Sequence, residues 1–513
     1  MPVVSGVPGV PGVPPAEELS ALPADELAAR LAEAYRVIGE LTARAERLAA
    51  RAEDLAAQNE RLAARVEDLE RQVRRDSSTS SRPPSSDSPY KKKGGDRSLR
   101  ERGKRRPGKQ PGDPGTTMKL VDDPDERVFC PPAACRGCGA GLERVPVAAQ
   151  RRHQVTDIQP APAPVVTEYV AQAKECPCCG AVTEGGLPPH VRARASFGPE
   201  TCAHAANLAV GHHIPIWRST VLLCQLAGIT VSTGWMAGVR RKAADLVESS
   251  GFMTRVRDLL RAAPAVHADE TPARAAGGTR YVHLACTAYL THMHAGDRSA
   301  DAIDAGGVLP GYAGVIVRDG YAGYGHLTDA LHAWCGAHLL RDLKDLYDFE
   351  PDKQDWACRM AGLLIEARDA ASATRQAGQP TLDPAVLDDL VTRYRELAAA
   401  GLAANLYRRT ATAKDARRIA RRFLSFEDLI LRFATRPDLD IFTNNEAERT
   451  IRPVKVQQRS SGGCWRTIQG LADFAIVHSY LSTAAKWGIS KLDALRDLFN
   501  GRTWLPPGLE PAG

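Results

Sequence analysis

The chain has 513 residues, 43% hydrophobic and 25% charged, a globular composition that excludes a wholly disordered polypeptide and suggests about three domains at ~150 residues each. Its formal net charge of +6 is unevenly placed, with ten basic against two acidic residues between Lys91 and Lys109, a local footprint that suits nucleic acid. No apolar run reaches the roughly 18 residues of a membrane span, the N-terminus lacks the features of a secretion signal, and 12 cysteines, several in C-x-x-C pairs, point to a reducing cytoplasm and a metal site rather than a disulfide framework.

Residues 1–16 are Pro/Gly/Val low complexity and are expected to be disordered. Residues 17–75 are predicted to form a coiled coil. Leu41, Leu48, Leu55, Leu62 and Leu69 recur every seven residues, and Leu27 fits the same register with Ala34 between. With these at d, the a positions are Leu31, Ile38, Ala45, Ala52, Asn59, Val66 and Val73. An apolar 3.5-residue repeat of this length calls for a supercoiled partner helix. A lone Asn at a favours two strands in register, because it pairs with its mate at some cost in stability. The competing reading is a single amphipathic helix packed on its own chain. The unbroken leucine spacing and the absence of Pro and Gly from Leu41 to Arg75 favour the coiled coil.

Residues 76–118 form a basic Ser/Pro-rich linker, flexible and solvated by composition. Within it, Gly103–Lys109 approaches a phosphate-binding loop. Gln110 replaces the Ser or Thr that chemistry needs, and no strand precedes it, so the match is read as chance.

Residues 119–197 are predicted to bind zinc. Cys135-x-x-Cys138 and Cys176-x-x-Cys179 bracket 37 residues, and Gly139 and Gly180 follow the second Cys of each pair. Tetrahedral Zn²⁺ satisfies four thiolates at about 2.3 Å, and four cysteines leave no open position, so the metal would be structural. Cys130 and Cys178 receive no role.

Residues 198–260 read as helical. Ile216–Gly228, a short turn and Ser232–Val247 have helix-turn-helix spacing, with Ser232 as a cap. Arg240, Arg241 and Lys242 are the candidate DNA contacts, although a helical hairpin with no DNA role fits the pattern equally well.

The stretch from Pro264 to Gly325 turns β-rich. AVHADETPA leads into Asp269, GVIVRDGYAGY ends in Asp319, and TRYVHLACTAYLTHMHA between them is long enough for a hairpin. Two strands that each end in an Asp bring carboxylates to one sheet edge, where hard divalent cations bind. A third acid follows in FTNNEAERTIRP, which reads as a helix start. Cys335 and His338 form C-x-x-H after Asp319. Two ligands do not close a metal site, so packing is the favoured reading.

Taken in order, HADETPA, VRDGYAGY, WCGAHLLRDL and TNNEAERTIRP resemble the IS66 family of transposases. The resemblance covers nearly the whole chain: a leucine-rich N-terminal helix, a Ser/Pro linker like SSTSSRPPSSDSP, a four-cysteine zinc finger and a helical region before the core. It implies a D-D-E catalytic core on an RNase H-like fold, here residues 261–345 and 437–495. A helical insertion at 346–436 contains RRTATAKDARRIARR, and 496–513 form a C-terminal tail. The acids carried over are Asp269, Asp319 and Glu448, the last because the family pattern is N-N-x-x-E-R. Glu446 competes, but residues two apart lie about 200° apart around a helix, so only one can face the metals. Asn444 and Asn445 are read as positioning that helix, capping it or touching DNA. Arg449, Arg452, Lys455 and Arg459 are candidate phosphate contacts. The chain departs from the family at Thr443, where an acid is common, and in VKVQQRSSGGCWR, which stands in for a basic run containing aromatics.

The expected fold class is therefore multidomain α+β: an N-terminal coiled coil, a small zinc-binding domain, a helical DNA-binding region and an RNase H-like α/β core with a helical insertion. The implied function is metal-dependent cleavage at transposon ends and strand transfer into target DNA, with catalytic Mg²⁺ (or Mn²⁺) and structural Zn²⁺. The implied partners are transposon-end and target DNA, a second copy or more through the coiled coil, and small accessory proteins of the same element. No membrane is involved, and the place of action is the bacterial cytoplasm at the nucleoid. The alternatives are an RNase H-fold nuclease without strand transfer and a catalytically inactive coiled-coil DNA-binding regulator.

Overall fold

The computed structural model describes residues 21–74, 120–157, 163–188, 191 and 193–510. The low-complexity stretch of residues 1–16 and the basic run from Lys91 to Lys109 lie outside the described residues. The long helix α1 spans Ala24–Arg74. Two short antiparallel strands, β1 (Ala173–Glu175) and β2 (Val182–Glu184), precede the helices α2 (Pro199–Ala206), α3 (Ile216–Ala227), α4 (Thr233–Ser249) and α5 (Phe252–Ala262). Then come β3 (Ala265–Ala275), β4 (Gly278–Cys286), β5 (Thr291–Gly296), α6 (Ala300–Asp304), β6 (Val315–Arg318) and β7 (Leu331–Trp334). The remainder is helical: α7 (Gly336–Phe349), α8 (Asp355–Gln376), α9 (Pro384–Asn405), α10 (Ala411–Ser425), α11 (Glu427–Ile430), α12 (Arg432–Thr435), α13 (Asn445–Ser460), α14 (Ile468–Lys486) and α15 (Lys491–Phe499). The molecule is thus mixed α and β. Among the described residues no helix is long and apolar enough to cross a membrane.

The chain divides into two units. The described residues of Met1–Ser86, with His338–Ala370 and Leu382–Glu427, form one; those of Asp87–Ala337, with Ala371–Thr381 and Asp428–Gly513, form the other.

In the first unit, α9 starts at an Asp383 cap that accepts from the Ala385 and Val386 N–H groups, with Pro384 at its first turn. Tyr394 donates from α9 to the Phe423 carbonyl of α10 (2.7 Å). Gly401 allows Trp356 to pack against α9, since a Cβ there would lie 2.4 Å from the indole. Near its end α1 touches α10, where Thr412 donates to Glu67 (2.9 Å). Its leucine seam is otherwise uncovered: Leu41, Leu48, Leu55, Leu62 and Leu69 are all exposed, Leu48 at 60%. Burying such a side chain is worth about 1.5–3 kcal/mol, so a single chain leaves this stabilisation unrealised.

In the second unit the five-stranded sheet has the order β5-β4-β3-β6-β7. β3, β4 and β5 form an antiparallel meander, while β3, β6 and β7 run parallel. β5 is an edge strand, and its open backbone groups are met by hydroxyls of α14. Ser479 accepts from the Met293 N–H (2.8 Å), Thr483 accepts from the Thr291 N–H (3.1 Å), and Ser482 pairs with the Thr291 hydroxyl (2.9 Å). The spacing of 479, 482 and 483 places the three on one helix face. Phe252 of α5 meets Tyr480 of α14 edge-on at 5.0 Å between centroids, and both are fully buried with Phe474 and Met293. A loop strand beyond α13 adds to the far end of β3, as Trp465 donates to the Arg274 carbonyl (2.8 Å) and Ala276 donates back (3.0 Å).

Candidate functional site

β3 runs at the centre of the sheet and carries Asp269. β6, its parallel neighbour, ends at Arg318, so Asp319 is the first residue beyond the strand. A parallel neighbour delivers its C-terminal end to the same side, which is where ligands collect in such sheets. Glu448 lies in the first turn of α13, a helix that packs on β3. Burial, then the neighbouring Glu270, Asp319 and Glu448 charges, push the Asp269 carboxyl well above the usual carboxylate range, against one bond from the Glu270 N–H to its Oδ1 (2.8 Å). Asp319 and Glu448 thus both act on the buried Asp269, although among the described residues the three carboxylates do not all lie within 4.8 Å of one another. Such repulsion is what a divalent cation relieves.

Glu446 takes the opposite side of α13. It pairs with the largely buried Lys486 (2.9 Å) and with Arg449 (3.0 Å). Burial raises its pKa, but Lys486 and Arg449 more than offset this and leave it below the ordinary value. Its role in this arrangement is to hold α13 to α14.

Asn444 fixes where α13 begins. It is buried, and its side chain does not cap the helix. Its Nδ2 donates to the Ala268 carbonyl on β3 (2.8 Å), so its Oδ1 faces His267, whose Nδ1–H donates to it (3.1 Å). The Asn444 N–H donates to the Cys335 sulfur (3.1 Å). Of the three sequence readings, positioning is the one these bonds support. Asn445 is exposed. Cys335 is buried just beyond β7.

The candidate basic contacts differ in availability. Arg449, Arg452 and Arg459 are exposed on α13. Lys455 is tied to the Pro272 carbonyl, and burial lowers its pKa to about 8. α3 and α4 adopt the expected pair, with Ser232 accepting from the Trp235 N–H (3.0 Å). Arg241, however, bonds the buried Asp473 (3.0 Å) and Asp245 (2.8 Å). Arg240 packs against Gly470, where a Cβ would lie 2.8 Å from its guanidinium. Lys242 sits over the Phe499 ring (5.7 Å). These three residues attach α4 to α14 and α15, a role not evident in the sequence.

The two C-x-x-C segments form matching turns. Gly139 donates to the Cys135 carbonyl and Gly180 to the Cys176 carbonyl (both 2.9 Å), and both glycines have positive φ, +77° and +70°. The N–H groups of Cys138 and Gly137 hold the Cys135 thiol below its usual pKa, and those of Cys178 and Cys179 do the same for Cys176. This favours thiolates, the form that binds metal. Cys178 thus contributes its backbone N–H. Among the described residues no three of the four thiols come within metal-sharing distance, so the expected convergence of four sulfurs is not seen. The physical reason is visible nearby. Val128, Phe129, Val155, Val165 and Val166 are all exposed, and among the described residues from 120 to 188 none is buried to press the two turns together. Thiolates also repel unless a cation holds them.

Comparison with known families gives two matches. A family described as "Transposase IS66 family" matches residues 194–472, which take in α2 to α13 and all three acids. A family of unknown function (DUF6444) matches residues 20–119. No curated protein matches the chain.

Proposed function

The chain belongs to the IS66 family of transposases, and from that premise we propose that it cuts DNA at the ends of a mobile element and joins them to target DNA, with Asp269, Asp319 and Glu448 holding divalent cations. The observation that carries this reading is that Asp319, just beyond β6, and Glu448, in the first turn of the helix packed on β3, both act on the buried Asp269 of β3. The mixed sheet, with its antiparallel meander beside two parallel strands, suits an RNase H-like core. When bound, Mg²⁺ or Mn²⁺ would stabilise the attacking and leaving oxygens of an in-line phosphoryl displacement. The chain's own residues supply the holder. β3 fixes Asp269, the turn after β6 presents Asp319, and the Asn444 anchor sets the rotation of α13 so that Glu448 faces them. Arg449, Arg452 and Arg459 offer exposed cations for backbone phosphates. The residues 91–109 would add contacts without sequence preference.

A labelled terminal DNA fragment incubated with the protein, Mg²⁺ and a target plasmid tests this. Joined product is expected. Cleavage without joining would favour the nuclease reading, and binding without either would favour an inactive regulator.

The uncovered leucine seam of α1 is proposed to pair in parallel with a second copy, Asn59 facing Asn59. A 17–75 fragment should sediment as a dimer. Asn59→Val should raise its thermal stability and admit trimers or tetramers. A monomer at high concentration would refute the pairing.

The proposed zinc site uses Cys135, Cys138, Cys176 and Cys179. Their donor chemistry suits a closed structural ion.

A further inference from the structure

The two aspartate motifs, DET and DGYAGY, hold more polar residues than the metal reading uses. Glu270 follows Asp269 on β3 and so points to the other face of the sheet. Its side chain is nearly buried, 3% exposed. Both oxygens are engaged. Oε1 accepts from Arg298 through Nη2 (2.7 Å) and Nε (3.2 Å). Oε2 accepts from the Tyr324 hydroxyl (3.0 Å), and Tyr324 is fully buried.

Arg298 then continues the link. Its guanidinium lies 4.0 Å from the Tyr321 ring centroid, and its carbonyl accepts from the Tyr321 hydroxyl (2.8 Å). The Tyr321 N–H in turn donates to Asp319 Oδ1 (2.8 Å). Arg318 closes the same turn by donating to the Asp319 and Tyr321 carbonyls (2.9 and 3.0 Å). One continuous set of bonds thus joins the neighbour of the first acid to the carboxylate of the second.

A buried carboxylate beside two others is costly unless it is paired and hydrogen-bonded. Glu270 meets that condition through groups on the segment that carries Asp319 and on the loop before α6. We infer that Glu270 is a positioning residue for the carboxylate pair: by clamping Tyr324 and Arg298 it fixes the DGYAGY turn against β3 and sets the spacing of Asp269 and Asp319 for a divalent cation. This rests on the reading that those two aspartates are metal ligands.

Mn²⁺ binding to the full-length protein, followed by electron paramagnetic resonance, tests it without requiring turnover. Glu270→Ala should weaken Mn²⁺ binding about 10–100-fold, the usual cost of losing a group that orients a ligand. Glu270→Gln keeps an oxygen for Tyr324 or Arg298 and should recover most of that loss. Tyr324→Phe removes one bond and should fall between. Metal-free thermal unfolding of each variant reports folding, and if Glu270→Ala does not fold, Tyr324→Phe decides. Folded variants that bind Mn²⁺ like the unsubstituted protein would overturn the inference while leaving the site intact, provided Asp269→Asn abolishes binding. If Asp269→Asn also binds normally, the metal-ligand reading fails and the inference falls with it.

Discussion

Glu448→Gln should reduce DNA cleavage at least about a hundredfold while leaving DNA binding intact. The substitution keeps shape and hydrogen bonding but removes one of three negative charges available to a cation. Losing groups that merely orient ligands costs about 10–100-fold, and a ligand itself should cost no less. Glu446→Gln separates the two glutamates. Its pairing with Lys486 and Arg449 marks it as a tie between helices, so cleavage should stay within a few-fold. Stability should fall by about 1–3 kcal/mol, because a partly buried lysine loses its charged partner. Asp269→Asn adds an independent view. It removes a carboxylate that is buried in the presence of three like charges, Glu270, Asp319 and Glu448, so the metal-free protein should melt at a higher temperature while cleavage is lost. Measured cleavage rates and melting curves for the three variants would reverse the assignment if Glu446→Gln were the inactive one.

The purified protein should carry one zinc ion per chain, and Cys176→Ser should release it. Metal binding to such four-thiolate sites is worth about 10–16 kcal/mol near neutral pH. Nothing comparable is available from burial between Leu120 and Leu187, where apolar side chains stand in solvent. Chelation should therefore make this segment protease-sensitive while α2 to α15 retain their protection. Elemental analysis without zinc, or a segment that resists protease after chelation, would remove the zinc assignment.

The parts of the site that were legible in the sequence were those set by local pattern. The apolar run before Asp319 marked a strand end, whereas β3 continues past Asp269 to Ala275, so that aspartate stands within its strand and not at the end that the sequence pattern suggested. The acid–amide cluster at Asn444–Glu448 announced a helix start, and the choice of Glu448 over Glu446 came from the family resemblance. The turn glycines after Cys138 and Cys179 were readable for the same local reason. What was not legible depends on pairs distant along the chain. Arg298 lies 28 residues from Glu270, in a loop with no motif of its own. Arg241 is an exposed cation on α4, but its bond to Asp473, 232 residues away, has no signal in local pattern.

The hydroxyls that α14 lends to β5 have a consequence for the assembly proposed above. An open sheet edge is adhesive toward any other extended chain. A coiled coil and a shared DNA molecule would hold several such edges together at millimolar effective concentration. Ser479 and Thr483 occupy the backbone N–H groups of Met293 and Thr291 that a foreign strand would need. In the proposed assembly on one DNA end they would favour ordered association over intermolecular sheet growth, a hazard that a lone monomer in dilute solution would scarcely meet.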